Sequence, residues 1–228
     1  MKRAVREVDW TTYDEVFPDR YLEPSAFDQE IVREVEMCLL PRPDFLRKQQ
    51  FPVEVLDIGG GKNGTKHLQH EESDLMKCWL LDPFVDAPDW MEGSVDWDTN
   101  KQFDLIVCRG AFNYLQRKQI LKIPGMLKPN GVFIFNTFYE PKNGSRRYEN
   151  SKSGVQGVEK FQRVGDQIVH RLEPDGEDFA IQHKIKVRPV QEIVKLLGRS
   201  LAFVFLGHNT LFVRMENGRQ LRSQNHRS

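Results

Sequence analysis

The stretch VEVLDIGGGKNG, residues 53 to 64, runs a short apolar strand directly into a glycine cluster. It demands a fold in which a tight turn after a strand meets a nucleotide-type cofactor, and it is consistent with two of them. Gly59, Gly61 and Gly64 satisfy the G-x-G-x-x-G spacing of a dinucleotide site, where glycines permit a tight turn, close backbone approach and helix packing. Asp57, two residues before the first glycine, adds a carboxylate that suits a different ligand.

From Phe51 onward, apolar runs alternate with helical or polar stretches, the pattern of an α/β fold with a mostly parallel sheet. The runs are VEVLDI (53 to 58), MKCWLLD (76 to 82), QFDLIVCR (102 to 109) and GVFIFNTF (131 to 138). Between the last two, Leu115, Ile120, Leu121, Ile123 and Leu127 predict a helix closed by a turn at Pro129 to Gly131. Residues 139 to 157 are polar and locally basic and predict a mobile loop. An antiparallel meander follows over 158 to 189, with turns at Gly165-Asp166 and Pro174-Asp175-Gly176. Val190, Ile193, Val194 and Leu197 then fall on one helical face, closed by Gly198. LAFVFL and TLFVRM flank Gly207-His208-Asn209 as a terminal hairpin, and 216 to 228 form a polar tail.

Upstream, Ile31, Val32, Val35, Cys38 and Leu39 share a helical face that Pro41 and Pro43 terminate. Residues 1 to 50 therefore read as an N-terminal helical cap on one domain, 51 to 215, that carries an insertion at 139 to 189. The 33 basic and 33 acidic residues cancel, so no global field recruits nucleic acid or an anionic membrane. No apolar run is long enough to span a bilayer, and a cytoplasmic location is expected. Cys38, Cys78 and Cys108 are widely spaced and read as reduced and structural, and no metal site is expected from His67 and His70 alone.

Charge decides between the two ligands. A dinucleotide brings its diphosphate to the glycine loop, and a carboxylate about 5.5 Å away would cost roughly 3 kcal/mol at an effective dielectric near 20. The methionine end of S-adenosylmethionine carries an ammonium and a sulfonium, so the same Asp57 becomes an attraction. Asp82, roughly 20 residues past the glycines, can accept from both hydroxyls of a ribose in either ligand.

With these residues in place, the chain resembles the class I S-adenosylmethionine-dependent methyltransferases of small-molecule type. VLDIGGG is similar to the family's first motif, LLDPF to its second, FDLIVCRGAFNYL to its fourth strand and following helix start, and LKPNGVFIF to its fifth strand. The resemblance implies a Rossmann-like sheet whose terminal hairpin supplies the antiparallel sixth and seventh strands. It also implies S-adenosylmethionine as cofactor, with Asp57, Gly59, Gly60 and Gly61 at the methionine end, Asp82 and Pro83 at the ribose, Asp96 and Trp97 at the adenine, and the backbone of Arg109 and Gly110 again at the methionine end. Two departures stand out: Asn63 occupies the place of the usual third glycine, and Asn113-Tyr114 stand where many relatives carry Glu-His. The stretch from Asp82 to Asp96 holds Pro83 and Pro88 and leaves little room for a second helix and third strand.

Methyl transfer needs alignment and a dry site, and a base only for a protonated amine or a hydroxyl. Candidate substrate contacts are Tyr13, Tyr21, Arg109, Asn113, Tyr139, Glu140 and His183. Nucleic acid is disfavoured as partner, because RGAF stands where amino-methylating DNA enzymes carry an Asn/Asp-Pro-Pro-aromatic box, and no Pro-Cys is present there. A small-molecule acceptor and a monomer or homodimer are expected. The alternatives are an NAD-dependent oxidoreductase and a non-catalytic methyltransferase-like binding protein.

Overall fold

The computed structural model describes residues 4–7, 52–61, 76–138, 143–149, 156–197, 201–205 and 210–216. Strand β1 (Ala4–Glu7) is followed by β2 (Val53–Ile58), β3 (Met76–Leu81), a two-residue β4 (Gly93–Ser94) and β5 (Phe103–Cys108). A 3-10 turn (Phe112–Tyr114), helix α1 (Arg117–Ile120) and a second 3-10 turn (Ile123–Met126) lead into β6 (Leu127–Phe138). Strands β7 (Gly144–Glu149), β8 (Gln156–Val164), β9 (Gln167–Pro174) and β10 (Phe179–Lys186) precede helix α2 (Val190–Leu197) and strands β11 (Leu201–Phe205) and β12 (Thr210–Glu216).

The main sheet has the order β11-β12-β6-β5-β2-β3-β4. Its strands from β6 to β4 pair in parallel, and β12 pairs antiparallel with both β6 and β11. Of the terminal hairpin, then, β12 alone runs against the parallel strands. The chain leaves β2 toward β3 and later returns to β5 on β2's other side, and this reversal opens a crevice at the strands' C-terminal ends.

Alternating side chains fill both faces of this sheet. Leu56, Ile58, Ile106, Cys108, Phe133 and Phe135 join Phe112, Ile120, Ile123, Ile193, Leu196 and Leu197 on one face. Val53, Val55, Cys78, Leu80, Leu105, Val107, Val132 and Ile134 cluster on the other. The face of α2 centres on Ile193, Leu196 and Leu197; Val194, placed on that face by its spacing, is exposed.

The long helix expected before β6 is broken into a single α turn flanked by 3-10 turns. Leu121 is exposed and Leu127 already belongs to β6, so the apolar spacing there records packing under the sheet rather than one helix. The predicted turn at Pro129 to Gly131 is an irregularity inside β6, where Asn130 takes φ 65° and the register with β5 shifts. A Cβ on Gly131 would sit 2.9 Å from the carbonyl oxygens of Lys128 and Phe103, which explains the glycine. Between Asp82 and β4 no helix forms, as the proline-bearing spacing implies.

The inserted meander is larger than expected. Strand β7 lies within the segment predicted as a mobile loop, and Arg147 pairs there with Asp175. Strand β1 pairs in parallel with β10, so the N-terminal part contributes a strand as well as any cap. The resulting second sheet has the order β1-β10-β9-β8-β7. The expected helix around residues 31 to 39, Cys38, His67, His70, the turn at 207 to 209 and the tail beyond 216 lie outside the described residues.

Arg188 clamps the second sheet's exit to the main domain. Its guanidinium is 2% exposed, donates to the carbonyls of Phe112 (3.3 Å) and Leu115, and lies 3.8 Å from Glu192. Burial lowers its pKa while Glu192 acts in the opposite direction. Arg188→Met keeps the bulk and removes both donors, so it is expected to cost about 3 kcal/mol in urea unfolding, and Arg188→Lys to recover only part of that loss.

Candidate functional site

The crevice is built by four strand ends. Strand β2 delivers Asp57, which is 2% exposed and in register with Leu80 and Val107, and then turns through Gly59 and Gly61 at φ 71° and 61°. The turn is pinned to β3 twice. Gly59 N–H donates to Leu81 O at 2.9 Å, and Gly61 N–H to Asp82 Oδ2 at 3.2 Å. The other Asp82 oxygen accepts from Phe84 N–H at 2.9 Å.

Two of the glycines are required by contact. A Cβ on Gly59 would stand 2.4 Å from the Ala111 Cβ, and one on Gly60 would stand 2.4 Å from Asp57 Oδ2. The loop backbone thus rides directly over the Asp57 carboxylate and against the segment after β5. A cradle of this kind admits a ligand close to the backbone, and its buried acid selects a cationic group over a phosphate.

Arg109 and Gly110 leave the end of β5 half-buried, and Gly110 N–H donates to Asn136 Oδ1 at 2.5 Å. Asn113 is buried: its amide donates to Lys186 O at 2.8 Å and its oxygen accepts from Thr137 Oγ1 at 3.2 Å. It therefore bolts β6 of the main sheet to β10 of the second. Asp96 is exposed and accepts from Asp98 N–H at 2.8 Å, while Trp97 packs on the main core. Pro83 is exposed beside Asp82. His183 lies half-buried on β10, its ring 5.9 Å from that of Tyr114. Asp57, Gly59, Gly60, Gly61, Asp82, Arg109 and Gly110 are thus gathered at one end of the sheet, with Asn113 and His183 on the side toward the second sheet. Tyr13, Tyr21, Tyr139, Glu140 and the Asn63 departure lie outside the described residues.

Three features escaped the reading of the sequence. Phe84, 63% exposed, holds an apolar surface out beside Asp82. Asn136 and Thr137 fix the loop after β5, and their signal was a polar pair closing the otherwise apolar GVFIFNTF. Glu159 and His170, both buried, form a polar line with His183 across the second sheet; the strand alternation that puts them on the inward face was their signal.

Cys108 ends β5 beneath the site. Burial first, and then the Asp57 charge, push its thiol well above the usual range. It is no nucleophile, and it is expected to resist a thiol reagent at pH 8 in the native protein and to react once urea unfolds the chain. Among the described residues no group of three or more His, Cys, Asp or Glu is placed to hold a metal, and no helix is long and apolar enough to cross a membrane.

No family model matches the chain, and no curated protein is similar to it in sequence. Solved structures are similar in fold. An amino pentose methyltransferase from Micromonospora echinaspora, bound to S-adenosylmethionine and involved in calicheamicin biosynthesis, superposes with a TM-score of 0.62 at 16% identity, over 90% of this chain and 96% of that one. A sugar N-methyltransferase from Streptoalloteichus gives 0.58 at 17% identity, over 89% and 92%. The 1,6-didemethyltoxoflavin-N1-methyltransferase of Burkholderia thailandensis, with its substrate and S-adenosylhomocysteine bound, gives 0.53 at 15% identity, over 92% and 86%. The chain has the Rossmann-like fold of the class I S-adenosylmethionine-dependent methyltransferases, as its motif order implies.

Proposed function

We propose that the chain is a cytoplasmic methyltransferase that moves a methyl group from S-adenosylmethionine to a small-molecule acceptor. The observation that carries this reading is the buried Asp57 carboxylate directly beneath the Gly60 backbone, at the crevice where the strand order reverses. That acid suits the cationic methionine end and opposes a diphosphate, which weighs against the NAD-dependent alternative. Structures of similar fold that act on sugars and on a toxoflavin precursor support a small acceptor.

Within this reading Asp57 and the Gly59 to Gly61 backbone hold the methionine end, with the Gly110 backbone beside them. Asp82 exchanges part of its bonding to Gly61 and Phe84 for the ribose hydroxyls, and Asp96, Trp97 and the exposed Phe84 flank the adenine. When bound, the cofactor supplies a methyl group already activated by its sulfonium. The protein then contributes alignment of the acceptor and exclusion of water, which together account for most of the acceleration in such displacements.

The test is incubation with methyl-labelled S-adenosylmethionine and a panel of small hydroxyl and amine acceptors, read by mass spectrometry. Label in an acceptor supports the proposal. Tight cofactor binding with no labelled product across the panel would favour the non-catalytic alternative.

A further inference from the structure

The segment that leaves β5, residues 109 to 115, is held from both sheets. Its ordered core is a 3-10 turn of three residues with no side-chain cap, too short to fix its own shape. Strand β6 supplies two tethers: Asn136 Oδ1 accepts from Gly110 N–H at 2.5 Å, and Thr137 Oγ1 donates to Asn113 Oδ1 at 3.2 Å. Phe135 of the same strand stacks on Phe112 at 3.9 Å between ring centroids. The second sheet supplies the others. Asn113 Nδ2 donates to Lys186 O of β10 at 2.8 Å, and Arg188, at the sheet's exit, donates to the carbonyls of Phe112 and Leu115.

Asn113 is where these tethers cross. A backbone carbonyl only accepts and a hydroxyl can donate, so the Asn113 NH2 is fixed toward Lys186 and its oxygen toward Thr137. Turning the amide over would break both bonds at once. Asn113, Thr137 and Arg188 are each 2% exposed, so water does not replace a bond lost here.

The other side of the segment meets the cofactor loop. A Cβ on Gly59 would overlap that of Ala111, so the glycine turn rests directly on the segment. A Cβ on Gly61 or on Gly110 would meet nothing within 4 Å among the described residues, so both backbones border open space. The segment is therefore one wall of the crevice. From Lys186 in the second sheet to Gly59 in the glycine turn, the path needs only Asn113 and Ala111, two positions apart in the chain.

We propose that Asn113 is a positioning residue for S-adenosylmethionine, holding the Gly110–Ala111 backbone against the methionine end, and that it links cofactor binding to the order of β10. The inference rests on the methyltransferase reading above. Asn113 acts through Gly110 and Ala111 and need not touch the ligand. The linkage runs both ways. A cofactor that bears on the Gly110 backbone is bound best when residues 109 to 115 are in place, and that is the arrangement in which Asn113 reaches Lys186 O. What β10 contributes to cofactor affinity, bound cofactor returns to β10 by the same factor.

The experiment combines calorimetry with S-adenosylhomocysteine and amide hydrogen exchange of the whole protein, with and without that ligand. In wild type, saturating ligand is expected to slow the amides of β10 about tenfold more than those of β8. The comparison with β8 removes the general effect of a ligand on global unfolding. Asn113→Leu keeps the size of the side chain and removes both bonds. It is expected to bind S-adenosylhomocysteine about tenfold more weakly, well below its unfolding midpoint, and to lose the difference between β10 and β8. Equal slowing of β10 and β8 in wild type, or wild-type affinity in folded Asn113→Leu, would overturn the inference. Where Asn113→Leu fails to fold, Thr137→Val decides, since it removes only the hydroxyl that holds Asn113. A loss of at least threefold in affinity, restored in Thr137→Ser, is expected, and wild-type affinity in Thr137→Val would overturn the inference. Absence of S-adenosylhomocysteine binding in the wild type would instead overturn the cofactor reading.

Discussion

Asp57→Asn is expected to weaken binding of S-adenosylmethionine about 100-fold while leaving the fold intact. The substitution keeps the shape that Gly60 rides on and removes only the charge. One unit-charge attraction at about 5 Å and an effective dielectric near 20 is worth roughly 3 kcal/mol, which corresponds to ~100-fold in affinity. The same substitution carries an internal control. Because the Asp57 charge is one of the causes that raise the Cys108 thiol, second to burial, its removal should lower that thiol's pKa relative to wild type. A loss of affinity without a change at Cys108 would indicate that the loop had moved, and not that a charge had been lost. Isothermal titration and carbon NMR of the labelled Cys108 side chain across pH read the two effects separately.

Gly59→Ala is expected to destabilise the protein by about 3 kcal/mol and to abolish measurable cofactor binding. Two costs combine. A side chain at φ 71° strains the backbone by roughly 1 kcal/mol, and overpacking adds about 2 kcal/mol, because the new Cβ would lie 2.4 Å from that of Ala111. The costs are separable, since Ala111→Gly removes the opposing atom and should restore the steric part alone. The double substitution Gly59→Ala, Ala111→Gly is therefore expected to unfold in urea about 1 kcal/mol less stably than Ala111→Gly by itself. Additive losses in the double variant would show that Gly59 and Ala111 do not meet.

The parts of the molecule that local chemistry dictates were legible in its sequence. The strands at 53 to 58, 76 to 81 and 103 to 108 follow from continuous apolar runs, and the glycine turn follows from the residue type that positive φ demands. The meander from β8 to β10 was equally legible, because Gly165 and Gly176 mark its turns and alternation marks its faces. What failed were segments whose conformation is imposed from a distance. Leu121 and Leu127 carry helical spacing, yet the sheet draws Leu127 into β6 and leaves Leu121 in solvent. Strand β7 is polar and basic, and it is a strand only because β8 offers it a pairing edge.

The site divides along the same line. Asp57, the glycines and Asp82 lie at strand ends whose positions the motifs specify, and the structure brings them together. Asn113, a candidate for substrate contact, joins β6 to β10 through the NH2 and the carbonyl oxygen of its one side-chain amide, a partnership between residues far apart in the chain. His183 alone in the sequence is one half-buried histidine; beside His170 and Glu159 it becomes a member of a chain of hydrogen bonds. Cross-strand register creates that group, and register is a property of the whole sheet.

Isothermal titration of the protein with S-adenosylmethionine and, separately, with NAD tests the central claim most directly. One site is expected for S-adenosylmethionine, with affinity reduced at least tenfold in Asp82→Ala, and no binding heat is expected for NAD. Binding of NAD in the absence of any binding of S-adenosylmethionine would contradict the account.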